Sequence, residues 1–187
     1  MVQSANILAY QVIIFTPRHS ISGEIVLREK RLSDHINDRA DSAIFLRNVS
    51  ISRLEEPGMV LQRLMNAVIP KHGIILLFEP PQQVAPPSQR FFTYVETVKN
   101  DVFLIVDCME VRGILHTKGS VDVRRYLANL PETFLPITQA SVLFGASYKL
   151  VLNQDTILVN SQHIRVLGQS QPEATPTTAA SSQPIVP

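Results

Sequence analysis

Five histidines, His19, His35, His72, His116 and His163, are the side chains with which this chain could hold a metal ion, and no two of them stand four residues apart on a helical pattern. There is no HExxH, and the single cysteine, Cys108, has no CxxC partner, so neither a metalloprotease site nor a thiolate zinc site is spelled out. The densest set of carboxylates is Asp34, Asp38 and Asp41 with Glu29, an arrangement that could serve acid–base chemistry or a divalent cation. It is interleaved with Arg28, Lys30, Arg31 and Arg39, which is the pattern of a solvated face. Nucleophilic and nucleotide chemistry are no better supported: the seven glycines form no GxSxG, GxGxxG or GxxxxGK[ST], and Cys108 stands in an alternating stretch where a small buried thiol is ordinary. These residues imply no cofactor, no metal and no catalytic set.

The elements that would position such side chains are mostly strands. Residues 7–16, ILAYQVIIFT, are rich in β-branched and aromatic side chains and are closed by Pro17. The next strand alternates, with Ile21, Gly23, Ile25 and Leu27 on one face and Ser22, Glu24, Val26 and Arg28 on the other, and the short connection makes the two an antiparallel hairpin. Gly23 lies on the apolar face, so it marks a sharp bend or a close approach of another backbone. Leu32, His35, Ile36 and Arg39 fall at helical spacing after a charged turn, and residues 43–51 read as a third strand.

Residues 59–68, MVLQRLMNAV, fit a helix face and a strand equally well, and residues 69–78, IPKHGIILLF, read as a buried strand. Residues 80–90 are a proline- and glutamine-rich linker. Beyond it, strands are expected at 91–98 and 102–108 with a turn at Asn100-Asp101, then a strand and helix over 109–129, a strand over 133–144, a hairpin about Asn153-Gln154-Asp155 and a last strand. Residues 169–187, made of Ser, Thr, Ala, Gln and Pro, read as a disordered tail.

The stretch HSISGEIVLREKRLSDHIN returns in degraded form as MEVRGILHTKGSVDVRRYLAN. Setting Gly23 against Gly113 pairs Ile21 with Val111 and Ile25 with Leu115. Further on, Leu32, His35 and Ile36 meet Val123, Tyr126 and Leu127, Phe45-Leu46 meets Phe134-Leu135, and Val68 and His72 meet Val159 and His163. This order implies a duplicated unit, residues 1–79 and 91–168, each too small to build a generous core alone. The halves would pack about a pseudo-two-fold axis or share one composite sheet. The glycine strand and apolar helix positions recur and read as scaffold. Arg31, Ser33, Asp34 and Asn37 do not recur as a set, so with Arg28 and Arg47 they are the candidate binding residues.

Composition narrows the partners. The chain has 187 residues, 45% hydrophobic, with 17 Lys and Arg against 16 Asp and Glu, and its net charge of +1 lacks the basic excess of a dominant nucleic-acid or anionic-membrane binder. A lone cysteine and the lack of an apolar leader fit the cytoplasm, and no apolar run approaches the ~18 residues of a membrane span.

The string formed by Gly23, Ile25, Leu32, Asp34, Ile36 and Asn37, followed by Phe45-Leu46, resembles the Sm-like small β-barrels, in which a bent glycine-containing strand is followed by an Asp…Asn loop that binds RNA. The Asp-to-Asn spacing here is one residue short, and the second copy lacks the pair. RLSDHIN, residues 31–37, also resembles a motif of a bacterial protein family of unknown function, RLSD-x-[IL]-N. Together the sequence points to an α+β, mostly antiparallel β protein of two tandem β-β-α-β-β repeats forming small barrel-like or half-barrel units. Its expected role is a non-catalytic binding or assembly module of the bacterial cytoplasm, with a protein partner or self-association. One alternative is RNA or single-stranded nucleic-acid binding through an Sm-like surface at Arg28, Lys30, Arg31 and Arg47. The other is a small-ligand receptor or enzyme with its pocket between the repeats.

Overall fold

Proline and alternation set the first hairpin. In the computed structural model, β1 (Ile7–Phe15) stops just before Pro17, which has no N–H for a ladder, and β2 (His19–Arg28) returns antiparallel with Val12 opposite Gly23. A short helix, α1 (Leu32–Asn37), drops Leu32 and Ile36 into the core. β3 (Ala43–Arg53) and β4 (Glu56–Pro70) follow as a long hairpin. A 3-10 turn at Lys71–Gly73 then turns the chain into β5 (Leu76–Phe78), which pairs back onto β1 with Leu77 opposite Ile14.

The second run repeats this course with β6 (Val98–Val106), β7 (Met109–Thr117), β8 (Phe134–Phe144), β9 (Leu150–Asn160), a 3-10 turn at Ser161–His163, and β10 (Ile164–Gln169) paired onto β6. The structure describes residues 7–28, 31–81, 97–119, 126–127, 130, 132–144 and 150–170. Most of the expected linker, most of the expected strand at 91–98, most of the second helix and the tail beyond residue 170 lie outside the described residues.

The described strands form a single open sheet in the order β10-β6-β7-β8-β9-β5-β1-β2-β3-β4. Each run therefore has the internal order fifth, first, second, third, fourth, and the runs meet where β5 pairs with β9. One core, around Val12, Ile14, Ile25, Leu46 and Ile74, lies under the first run; the other, around Leu104, Val111, Ile137, Val142 and Ile157, lies under the second.

The two strand glycines sit at matching crossings, where β2 passes β3 and β7 passes β8. A Cβ on Gly23 would lie 3.0 Å from the Arg47 carbonyl oxygen, and one on Gly113 would lie 2.8 Å from that of Thr138. Both crossings carry a register shift and a residue with positive φ, Asn48 at 51° and Gln139 at 49°. Close approach of a neighbouring backbone is thus the reason for glycine in an apolar row.

This architecture overturns the expected α+β class. The protein is nearly all antiparallel β, its one sheet is not closed into barrels, and β-β-α-β-β does not describe either run, because each run has a fifth strand that pairs with its first. Strands were expected over 69–78 and at the end of the second run, but not their pairing with the first strand of each run. Pro70 and the following 3-10 turn break what reads as one strand over 69–78, leaving a three-residue β5 whose partners lie far away in the chain. The ambiguous 59–68 stretch is strand, since its apolar residues on both faces are held in the ladder with β3.

Two expected turns are corrected as well. β6 runs through Asn100-Asp101, where the Asn100 amide bridges to Thr117 Oγ1 at 3.0 Å, and the chain reverses instead at Asp107-Cys108, leaving Cys108 exposed. β9 runs through Asn153-Gln154-Asp155, with Asn153 opposite Ser141 and Gln154 opposite Ala140. The structural equivalences also differ locally from the sequence pairing: Pro70 and Asn160 both end their strands before the 3-10 turn, so Val68 corresponds to Leu158 and His72 to Gln162.

Candidate interaction site at the sheet edges

The seam between the runs shows how one edge of this fold receives another. Leu76 lies opposite Val159 and Leu77 opposite Leu158. Each run sends side chains into the other run's core: Leu158 and Phe134 pack in the first core, and Phe15, Ile75, Leu76 and Phe78 pack in the second. Further backbone groups at the seam are bonded by Asn160 and Asn37. Asn160, fully buried, donates its backbone N–H to the Ile75 carbonyl at 2.9 Å and its side-chain amide to the carbonyls of Ile74 at 2.8 Å and Lys71 at 3.2 Å. Asn37, at the end of α1, closes a two-way clamp on Phe134, donating to its carbonyl at 3.0 Å and accepting from its N–H at 2.8 Å. Lys71 Nζ supports that helix from below, donating to the carbonyls of Asp38 at 2.7 Å and His35 at 3.3 Å. Burial lowers the Lys71 ammonium from its ordinary value, with Asp41 and Asp38 opposing the shift.

The outer edges, β4 and β10, have no such cover among the described residues. Among the described residues β4 pairs with β3 alone, and Met59, Val60, Leu61, Leu64, Met65 and Val68 are all exposed along it, Met65 at 82% and Val68 at 66%. Phe45, opposite Val68 on β3, extends this apolar surface. At the far end, β10 pairs with β6 alone and leaves Val166 45% exposed. Unpaired strand edges with a run of apolar side chains are templates for a further strand, and soluble proteins usually blunt them with charge, bulges or a covering loop.

The start of β10 is held by a charged knot. Asp107 lies 2.6 Å from His163 Nδ1 and accepts from Arg165 at 2.7 and 2.9 Å, while His163 Nε2 faces the His72 carbonyl oxygen at 2.9 Å. Burial would raise the Asp107 carboxyl, but the bonds and charges of His163 and Arg165 outweigh it and hold the group below its ordinary value.

The residues singled out from sequence do not gather into one cluster. Arg31 and Asp34 are exposed at the start of α1 and Ser33 is half-buried beside them. Arg28 ends β2, and its side chain lies outside the described residues. Arg47 is exposed on β3 and lines a shallow pocket with His35, Asp41 and Phe45. Asn37 belongs to the seam. Of the histidines, His116 bridges Thr97 and Thr138 across neighbouring strands and His163 joins the Asp107 knot. Among the described residues no three His, Cys, Asp or Glu converge as metal ligands, and no helix is long and apolar enough to cross a membrane.

Sequence reasoning missed Asn160, Lys71 and the Asp107 knot, whose partners are all distant in the chain. The available signal was Asn160 itself, a polar residue ending an otherwise apolar ILVN run. No family model, curated protein or solved structure matches this chain.

Proposed function

We propose that this protein is a non-catalytic assembly module, built from two copies of one five-strand unit, that works through the open edge of β4. The observation that carries this reading is the state of that edge: among the described residues one side of a fifteen-residue strand is unpaired, and six large apolar side chains stand exposed on it. Strand addition supplies affinity through main-chain hydrogen bonds and specificity through alternate side chains, and both parts are laid out on β4. The seam between β5 and β9 supports the reading, because the same fold already uses edge pairing and side-chain exchange to hold its own halves together. The setting is the bacterial cytoplasm.

A second reading, binding of RNA or single-stranded nucleic acid at an Sm-like surface, draws on one observation: Phe45, 48% exposed, stands two positions from Arg47 on β3, a stacking ring beside a cation. The net charge of +1 favours the first reading.

Native extracts of cells producing the wild-type chain or a Met65→Lys, Val68→Lys double variant separate the two. Assembly through β4 predicts a complex well above the 20.9 kDa of the chain that disappears in the double variant and survives nuclease. A complex that is indifferent to the two lysines overturns the assembly reading, and one dissolved by ribonuclease moves the assignment to nucleic acid.

A further inference from the structure

The internal seam joins a fifth strand to a fourth strand, and the two end strands of the sheet, each paired on one side only among the described residues, are a fourth and a fifth. Counting along the ladders from Gly23 and Gly113 makes Val166 the counterpart of Leu76 and Leu167 that of Leu77, through their partners on β6 and β1. In the same way Ile69 is the counterpart of Val159 and Val68 that of Leu158. We infer that copies of this chain join head to tail by pairing β10 of one molecule with β4 of the next in the register of the seam, placing Val166 opposite Ile69 and Leu167 opposite Val68. This rests on the reading of β4 as an assembly edge and names its partner as a second copy.

The burial of these four residues fits that register. At the seam, each strand has one residue that sinks into its own core, Leu77 and Val159, and one that enters the neighbour's, Leu76 and Leu158. At the free edges the residues of the first kind are already covered: Ile69 lies in the first core at 7% exposure and Leu167 packs against the second. Those of the second kind are stranded in solvent, Val68 at 66% against 6% for Leu158, and Val166 at 45% against 0% for Leu76. A neighbouring copy would supply the missing core to each. Val68 would enter the second core of the next molecule, and Val166 the first.

The junction between copies is also built to be weaker than the seam. Pro70 stands where the seam has Asn160, so it offers neither the backbone N–H nor the side-chain amide that Asn160 gives to three carbonyls. Arg165 takes the place of the buried Ile75, its guanidinium turned onto Asp107. A reversible association follows, and because the contact is heterologous it grows into a ring where the rotation closes and into a filament where it does not.

Light scattering on the purified full-length chain across a concentration series tests this, with thermal unfolding as a check that each variant is folded. Wild type should give masses above 20.9 kDa that rise with concentration. Val68→Lys, which keeps β10, and Val166→Lys, which keeps β4, should each be monomeric alone, and their mixture should form a dimer and nothing larger. Pro70→Asn should assemble at roughly tenfold lower concentration, the worth of about one restored hydrogen bond. Three results overturn the inference: a wild-type monomer at every concentration, a mixture of the two lysine variants that stays monomeric, or a Val166→Lys protein that still dimerises by β4 pairing with β4. If the purified chain is monomeric while the complex in extracts still depends on Met65 and Val68, the inference falls and the assembly reading stands.

Discussion

The β5–β9 seam and the β4 edge are the same kind of surface in two conditions, one covered and one bare. At the seam Leu158 is 6% exposed and its strand end is tied by Asn160; on β4 the counterpart of Leu158, Val68, is 66% exposed and the strand ends in Pro70. Around Val68 and Leu158 both strands keep regular antiparallel register with the third strand of their run. What differs is which side chains have a core to enter, so the stabilising value of an apolar residue here is set by its neighbour and not by its place in the ladder.

The largest contrast to test is therefore Leu158→Ala against Val68→Ala. Removing the buried side chain should cost about 2–5 kcal/mol in denaturant unfolding, whereas truncating the exposed one in the monomer should stay within about 0.5 kcal/mol. Equal losses would break the comparison. A smaller gap is expected between the glycines. Gly113→Ala would set a Cβ 2.6 Å from Ile137 Cγ2 and 2.8 Å from the Thr138 carbonyl oxygen, while Gly23→Ala meets nothing closer than 3.0 Å. Overpacking of about 1–3 kcal/mol is expected at Gly113, with a lesser loss at Gly23, read from the shift in unfolding midpoint.

The smallest effect belongs to the knot that anchors β10. Because the folded Asp107 carboxyl sits below its unfolded value, its pairing stabilises the fold at neutral pH and is lost as pH falls through the lowered folded value. Asp107→Asn should flatten that part of the acid limb of a stability–pH curve. An unchanged slope would show that the knot orders β10 without contributing to stability.

What could be read in the sequence was local. The β1–β2 hairpin, the reason for Gly23 and the buried Leu32 and Ile36 of α1 follow from alternation, a proline and helical spacing within a few residues. The parts that escaped are those whose cause is distant. Asn37 reads as a candidate binding residue because its partner, Phe134, lies 97 positions on. Residues 69–78 read as one buried strand, of which β5 keeps only Leu76–Phe78, and its pairing with β1 and β9 was not legible. Residues 59–68 stayed ambiguous because an edge strand that is apolar on both faces carries no clean period. The candidate site was the least legible part, since an open edge is a property of what fails to pair and no residue type announces it.

The exchange of side chains across the seam has a consequence for synthesis. Phe134 and Leu158 complete the first core, yet both emerge from the ribosome long after Leu77 and Ile74. The growing chain must carry its first five strands with a gap in their packing until the ninth arrives, so the interval between β5 and β9 is when a nascent molecule is most open to capture by a chaperone or by the wrong strand.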